Sequence, residues 1–179
     1  MIAAVVLAGG AGRRYGGPKQ LHDVGGRPML ERVLGAVEAA PVDDRVVVLG
    51  ARAGQVLEVV ELHGSRPVVC DAWESGQAAS LRCGLDALGP SVTAALVVLG
   101  DGPGLQPQAL ARVVDAGAER PQLALAADYG AGRSHPVLLP RELWAALPSS
   151  GDAPGRALPV ELVDCRDLRA PGDIDYAAG

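Results

Sequence analysis

The chain has no phenylalanine, three tyrosines and two tryptophans, so aromatics make up 3% of its residues. Its core must be filled by Ala, Val and Leu, and the base-stacking platforms of single-stranded nucleic-acid binders are scarce. Excess positive charge is lacking too. The formal net charge is -5, which speaks against a general nucleic-acid surface. Cysteine is sparse: Cys70, Cys83 and Cys165 form no C-x-x-C pair and no metal-ligand spacing, and an odd number fits free buried thiols in a reducing compartment better than a disulfide framework. No apolar run approaches the ~18 residues that cross a bilayer, and no charged-then-apolar leader precedes the first one. The expectation is a cytoplasmic protein that engages neither nucleic acid nor membrane.

What is present is 49% apolar and 21% charged, too apolar for a disordered chain, and 179 residues suit one domain spanning 1–179. Apolar runs of strand length recur at 2–7, 45–50, 66–70, 93–100 and 122–127. Between them lie helical spacings: Met29, Leu30, Val33, Leu34 and Val37 after Pro28 as a first-turn residue; Val56, Val59, Val60 and Leu62; Leu81, Leu85 and Leu88; Leu110, Val113 and Val114. This alternation predicts a three-layer α/β/α fold around a mostly parallel sheet. Beyond 128, "YGAGRSHPVLLP" reads as a turn and an extended segment, "RELWAAL" as a short helix and "PSSGDAPG" as an exposed loop. In an open parallel sheet, ligands lie outside the carboxyl ends of the strands. Two ends stand out there: "LAGGAGRRYGGPKQL" after the first strand and "LGDGPG", which delivers Asp101, after the fourth.

The opening loop fails two well-known phosphate patterns. A P-loop needs Gly-Lys-Ser/Thr, but Pro18 separates Gly17 from Lys19 and Gln20 follows. The dinucleotide fingerprint begins at Gly10-Ala11-Gly12, yet Tyr15 stands where its third glycine belongs, and the second strand ends without a ribose-binding carboxylate. The remaining logic is an anion nest of glycine amides with Arg13, Arg14 and Lys19 as cations, which suits a triphosphate. A solvated basic turn is the plain alternative.

Leu7-Ala8-Gly9-Gly10, then Arg14-Tyr15-Gly16, Lys19 and Leu21, resemble the opening signature of the nucleotidyltransferases that build molybdenum cofactor dinucleotides. "WESGQAASLRCGL" (73–85) and "LGDGPGLQP" (99–107, with Gly102 in place of Gln) resemble the molybdopterin cytidylyltransferase branch, and "SHPVLLPRELWAAL", "GDAPGRAL" and "GDIDYAAG" follow in family order. The resemblance implies a Rossmann-like nucleotidyltransferase fold. It implies transfer of a nucleoside monophosphate from a nucleoside triphosphate to a phosphorylated acceptor such as molybdopterin, releasing pyrophosphate. Its longer set of matches favours CTP over GTP, although the Leu-Ala-Gly-Gly opening is more like the guanylyltransferase branch.

Carried over residue by residue, the resemblance places catalysis at Arg14, Lys19 and Asp101. Nucleotide contacts fall at Leu7, Ala8, Gly9, Gly10, Ala11, Gly12, Arg13, Arg14, Lys19, Gly76, Ser80 and Asp101. Mg2+ is expected on Asp101, with Asp175 matching a second ligand better than Asp173. The family continues with Thr-Pro-Glu-Asp where this chain reads Tyr-Ala-Ala-Gly. Trp73 either packs in the core or supports the segment over the base and ribose. His135 is either structural or directed toward the acceptor, while His22 and His63 carry no partner pattern. Two other functions stay open: an NAD(P)H-dependent oxidoreductase of the same family acting on a pigment-like heterocycle, and a nucleotide-binding accessory protein for a molybdoenzyme partner, without transfer activity.

Overall fold

The computed structural model describes residues 1–12, 16–155 and 158–172. Its strands and helices alternate as β1 (Ile2–Ala8), α1 (Met29–Glu38), β2 (Asp44–Leu49), α2 (Ala53–Val59), β3 (Arg66–Val69), α3 (Gln77–Asp86), β4 (Ala94–Leu99) and α4 (Pro107–Glu119). Then come β5 (Leu125–Asp128), β6 (Arg133–Pro140) and β7 (Glu161–Asp164). All seven strands join one sheet in the order β3-β2-β1-β4-β6-β5-β7.

The period of two along β1 explains the layers. Ala4, Val6 and Ala8 face a core shared with α1, α2 and α4, whereas Ala3, Val5 and Leu7 face a second core under α3 and Trp144. A strand buried on both faces has no polar side to alternate with, which is why "IAAVVLA" is continuously apolar. Pro28 stands one residue earlier than expected, extended (φ -54°, ψ 139°) just before α1. Val59, expected on a buried helix face, is exposed, because the seven-residue α2 turns in only Val56.

The sheet is parallel through β3, β2, β1 and β4, while β6 runs antiparallel to β4 and β5. Four residues join β5 to β6, and Asp128 Oδ1 accepts hydrogen bonds from the amides of Gly130 (2.8 Å) and Gly132 (2.9 Å). A connection that short makes a hairpin, so the strands it joins are antiparallel. The expectation of free thiols is corrected for two of the three cysteines. Cys70 after β3 and Cys83 on α3, 13 residues apart, form a disulfide, leaving Cys165 free and buried. Their spacing matched no motif because the pairing depends on α3 folding back onto the sheet. Among the described residues no helix is long and apolar enough to cross a membrane.

Candidate active site

β1 lies between β2 and β4 although the chain reaches β4 only after β3, so the direction of winding reverses at β1. Leu7 is in register with Leu99, and the Gly100 amide donates to Leu7 O at 2.9 Å. The glycine-rich loop and Asp101 therefore leave neighbouring strand ends side by side, at the topological switch point where ligands bind in such sheets. A cleft of about 720 Å³ opens there, lined by Leu7 to Gly12, Lys19, Gly76, Ser80 and Asp101 among others.

Lys19 sits in a single 3-10 turn and reaches across the cleft, its Nζ 3.4 Å from Asp101 Oδ2. The next residue does work that no motif announced. Gln20 is buried, and its Nε2 donates to Ala8 O (2.7 Å) and Gly10 O (2.9 Å). Those bonds occupy two carbonyl oxygens that would otherwise repel an anion at the loop. The same glutamine that broke the P-loop pattern thus fixes this different loop from beneath.

The facing wall comes from the segment after β3. Half-buried Trp73 packs over Gly9 and Gly50 and also lines the cleft. Ser80, three residues into α3, is buried in the same wall. Gly76 has a φ of +102°, and a Cβ there would lie 2.7 Å from the carbonyl of Gly151. Only glycine lets the 148–155 loop dock here. Gly151 N donates to Ser75 O (2.9 Å) and Ala78 N donates to Gly151 O (2.8 Å). Residues 148–153 are exposed, as expected of this loop, while its backbone is pinned to the start of α3 and Asp152 joins the cleft wall.

Behind this wall lies a second cavity of about 290 Å³, sharing Leu7, Gln77, Leu99 and Asp152 with the first. It is walled by Leu81, Val97, Val137 and Leu139, with Arg133 and His135 as its basic groups. His135 Nδ1 accepts from the Leu99 amide at 3.4 Å, and Tyr129 donates its hydroxyl to His135 O at 3.2 Å. Loss of solvent pushes the imidazole pKa down to about 4, and neighbouring Asp101 only partly offsets this. The ring is neutral at physiological pH, held by its hydrogen bond to the Leu99 amide, and it lines the second cavity.

The departure at Gly102 also has a cause. A Cβ there would lie 2.8 Å from Pro171 and 3.0 Å from the His135 ring. The chain at 169–171 crosses this turn, with Gly104 N donating to Pro171 O (2.9 Å) and Gln106 Nε2 to Arg169 O (3.3 Å). Arg13, Arg14, Asp173 and Asp175 lie outside the described residues.

A glycine loop, a lysine and an aspartate converge at the switch point of a seven-stranded sheet, the place where such folds bind ligands. Residues 4–163 match the MobA-like NTP transferase domain, and the chain belongs to that family. The chain is 33% identical to nicotine blue oxidoreductase of Paenarthrobacter nicotinovorans over 97% of its own length and 92% of that protein. Rv0371c of Mycobacterium tuberculosis H37Rv superposes with a TM-score of 0.82 at 31% identity, covering 98% of this chain and 93% of that one. A manganese complex of Rv0371c is also known, matching at a TM-score of 0.77 and 29% identity over 91% and 87% of the two chains. A nucleotidyl transferase from Methanothermobacter (Mth528) matches at a TM-score of 0.80 and 26% identity over 98% and 92%. The fold is thus the Rossmann-like α/β fold of nucleotidyltransferases.

Proposed function

We propose that the chain transfers a nucleoside monophosphate from a nucleoside triphosphate, CTP in preference to GTP, to a phosphorylated acceptor such as molybdopterin. The observation that carries this reading is the pairing of Lys19 with Asp101 across a cleft floored by the glycine loop. An acceptor phosphate oxygen attacks the α-phosphorus in line. The new O–P bond forms as the bond to the β-phosphate oxygen breaks, and pyrophosphate leaves with the electron pair. No covalent enzyme intermediate is required. The protein's task is to hold two anions together and to neutralise the departing one.

Lys19 can place its ammonium on the departing phosphates, with Arg13 and Arg14 as further cations of the loop. Backbone amides from Gly9 to Gly12, just beyond the strand end at Leu7 and Ala8, offer an anion nest, and Gly76 and Ser80 form the wall over base and ribose. A carboxylate at the mouth of a phosphate site fits Mg2+, which prefers oxygen ligands and substrate phosphates. Asp101 would hold that ion, with Asp175 as second ligand, and its charge would neutralise the triphosphate oxygens. The second cavity suits the acceptor: apolar walls for a flat ring system, Arg133 for an anionic group, and a neutral His135 able to hydrogen-bond without adding charge.

The 33% identity to nicotine blue oxidoreductase supports a second reading, an NAD(P)H-dependent oxidoreductase acting on a heterocycle. The absence of a carboxylate after β2 speaks against it. One experiment separates these readings. Thermal unfolding is followed with CTP, GTP, ATP, UTP and NADPH, each with and without Mg2+, because a ligand that prefers the folded state raises Tm. A Mg2+-dependent rise with CTP, accompanied by pyrophosphate release when molybdopterin is added, is expected. A rise with NADPH alone overturns the transferase reading, and a CTP rise without pyrophosphate release assigns an accessory role.

A further inference from the structure

A second group of ligating side chains lies away from the cleft, where α1 meets the turn between α2 and β3. Glu31, Gly35 and Glu38 fall at i, i+4 and i+7 on α1 and share one face of it. The imidazole of His63 lies over the bare backbone of Gly35, where a Cβ would be 3.7 Å from both Cε1 and Nε2. His63 Nδ1 is 2.9 Å from Glu38 Oε2. A carboxylate only accepts, so Nδ1 carries the proton and Nε2 of the neutral ring keeps its lone pair. That Nε2 atom is buried and has no hydrogen-bond partner. A protonated ring would leave its second N–H without an acceptor, so neither protonation state satisfies the atom.

Close by, the Glu61 amide donates to Glu31 Oε2 at 3.3 Å, which draws the two acidic residues together. One ligand atom from each of Glu31, Glu61 and His63 lies within 4.8 Å of the other two. We propose that these three residues bind a divalent transition metal of the zinc class, with Glu38 orienting the imidazole. The ion would satisfy the buried nitrogen and offset the repulsion between the carboxylates. One imidazole and two carboxylates suit zinc better than magnesium or calcium, which favour all-oxygen shells. A carboxylate on the far ring nitrogen is the usual companion of a metal-bound histidine. Three protein ligands leave a fourth position for water. None of the three residues lines the active-site cleft, and the site clamps the α2–β3 turn onto α1.

The test is titration of the full-length, chelator-treated chain with Co2+, read by visible absorption and by competition with Zn2+. One equivalent is expected to develop d–d bands that Zn2+ removes. Glu61→Gln, a change at an exposed residue, and His63→Gln are each expected to weaken binding at least tenfold. Glu38→Gln is expected to weaken it by about 10–100-fold through the orientation of the ring. Asp101→Asn leaves this equivalent in place, which separates it from any cation in the cleft. The proposal is overturned if no Co2+ binds, if Glu61→Gln and His63→Gln bind as tightly as the parent chain, or if a thiolate-to-cobalt charge-transfer band places the ion on Cys165.

Discussion

The two cavities that meet at Leu7, Gln77, Leu99 and Asp152 are built on opposite plans. The larger one is floored by consecutive backbone from Leu7 to Gly12 and edged by an ammonium and a carboxylate, whereas the smaller is walled by apolar side chains from β1, α3, β4 and β6. Phosphates are alike in every nucleotide, so amides and fixed charges suffice to hold them, and a short stretch of chain can supply both. Under the proposed transfer, an acceptor ring would be particular in shape, and recognising it would take side chains gathered from distant elements. The dependable half of such a site is local in sequence and the selective half is not.

Variants can break this contrast, and the largest effect is expected at Lys19. Lys19→Ala should lower the rate of nucleotidyl transfer about 10²–10³-fold, the cost of removing one group that stabilises charge in the transition state. Rapid-quench turnover with saturating nucleotide checks this, and near-normal turnover would remove Lys19 from the chemistry.

In the smaller cavity, His135→Asn should change how stability depends on pH. The folded pKa of His135 lies near 4, below its ordinary 6.5, so the unfolded chain binds more protons between those values. Stability linked to this group is therefore complete above pH 6.5 and is lost as pH falls toward 4, by on the order of 2–3 kcal/mol. Urea unfolding at several pH values should show that slope in the parent chain and a flatter one in the variant.

Gly76→Ala tests the joint between the cavities. It places a Cβ against Gly151 at a φ of +102° and should cost roughly 1–3 kcal/mol of stability. With the 148–155 loop undocked from a wall that borders both cavities, the KM values for nucleotide and acceptor should both rise. Arg133→Ala is the mildest: steady-state kinetics should show an acceptor KM raised about tenfold, equivalent to roughly 1.4 kcal/mol, with nucleotide KM unchanged. Equal effects on both substrates would mean that the two cavities do not divide the work.

Much of the larger cleft was legible in advance because its parts are contiguous or marked by strand ends. The loop at 7–12, Lys19 and Asp101 could be assigned to one crevice from the alternation of strands and helices, and the structure brings Lys19 and Asp101 to 3.4 Å. Gln20 escaped notice because its contribution, two hydrogen bonds to carbonyls behind it, has no sequence pattern. Asp152 escaped because a Ser, Gly and Pro-rich stretch reads the same whether it floats or docks. Cys70 and Cys83 were misjudged for a related reason, since spacing says nothing about which helix returns to which strand.

By itself the sequence determined the layered α/β class, through apolar runs of strand length alternating with helical spacing, and the placing of a glycine-rich, cationic loop at the end of the first strand, through residues that follow one another along the chain. Only the tertiary structure decided the antiparallel insertion of β6, the joining of Cys70 to Cys83, the docking of Gly151 on α3 and the gathering of Glu31, Glu61 and His63. The physical reason is the same in each case. Periodicity and local charge are properties of neighbours in sequence, whereas these contacts join residues whose proximity arises only when the sheet has formed and the helices have packed against it.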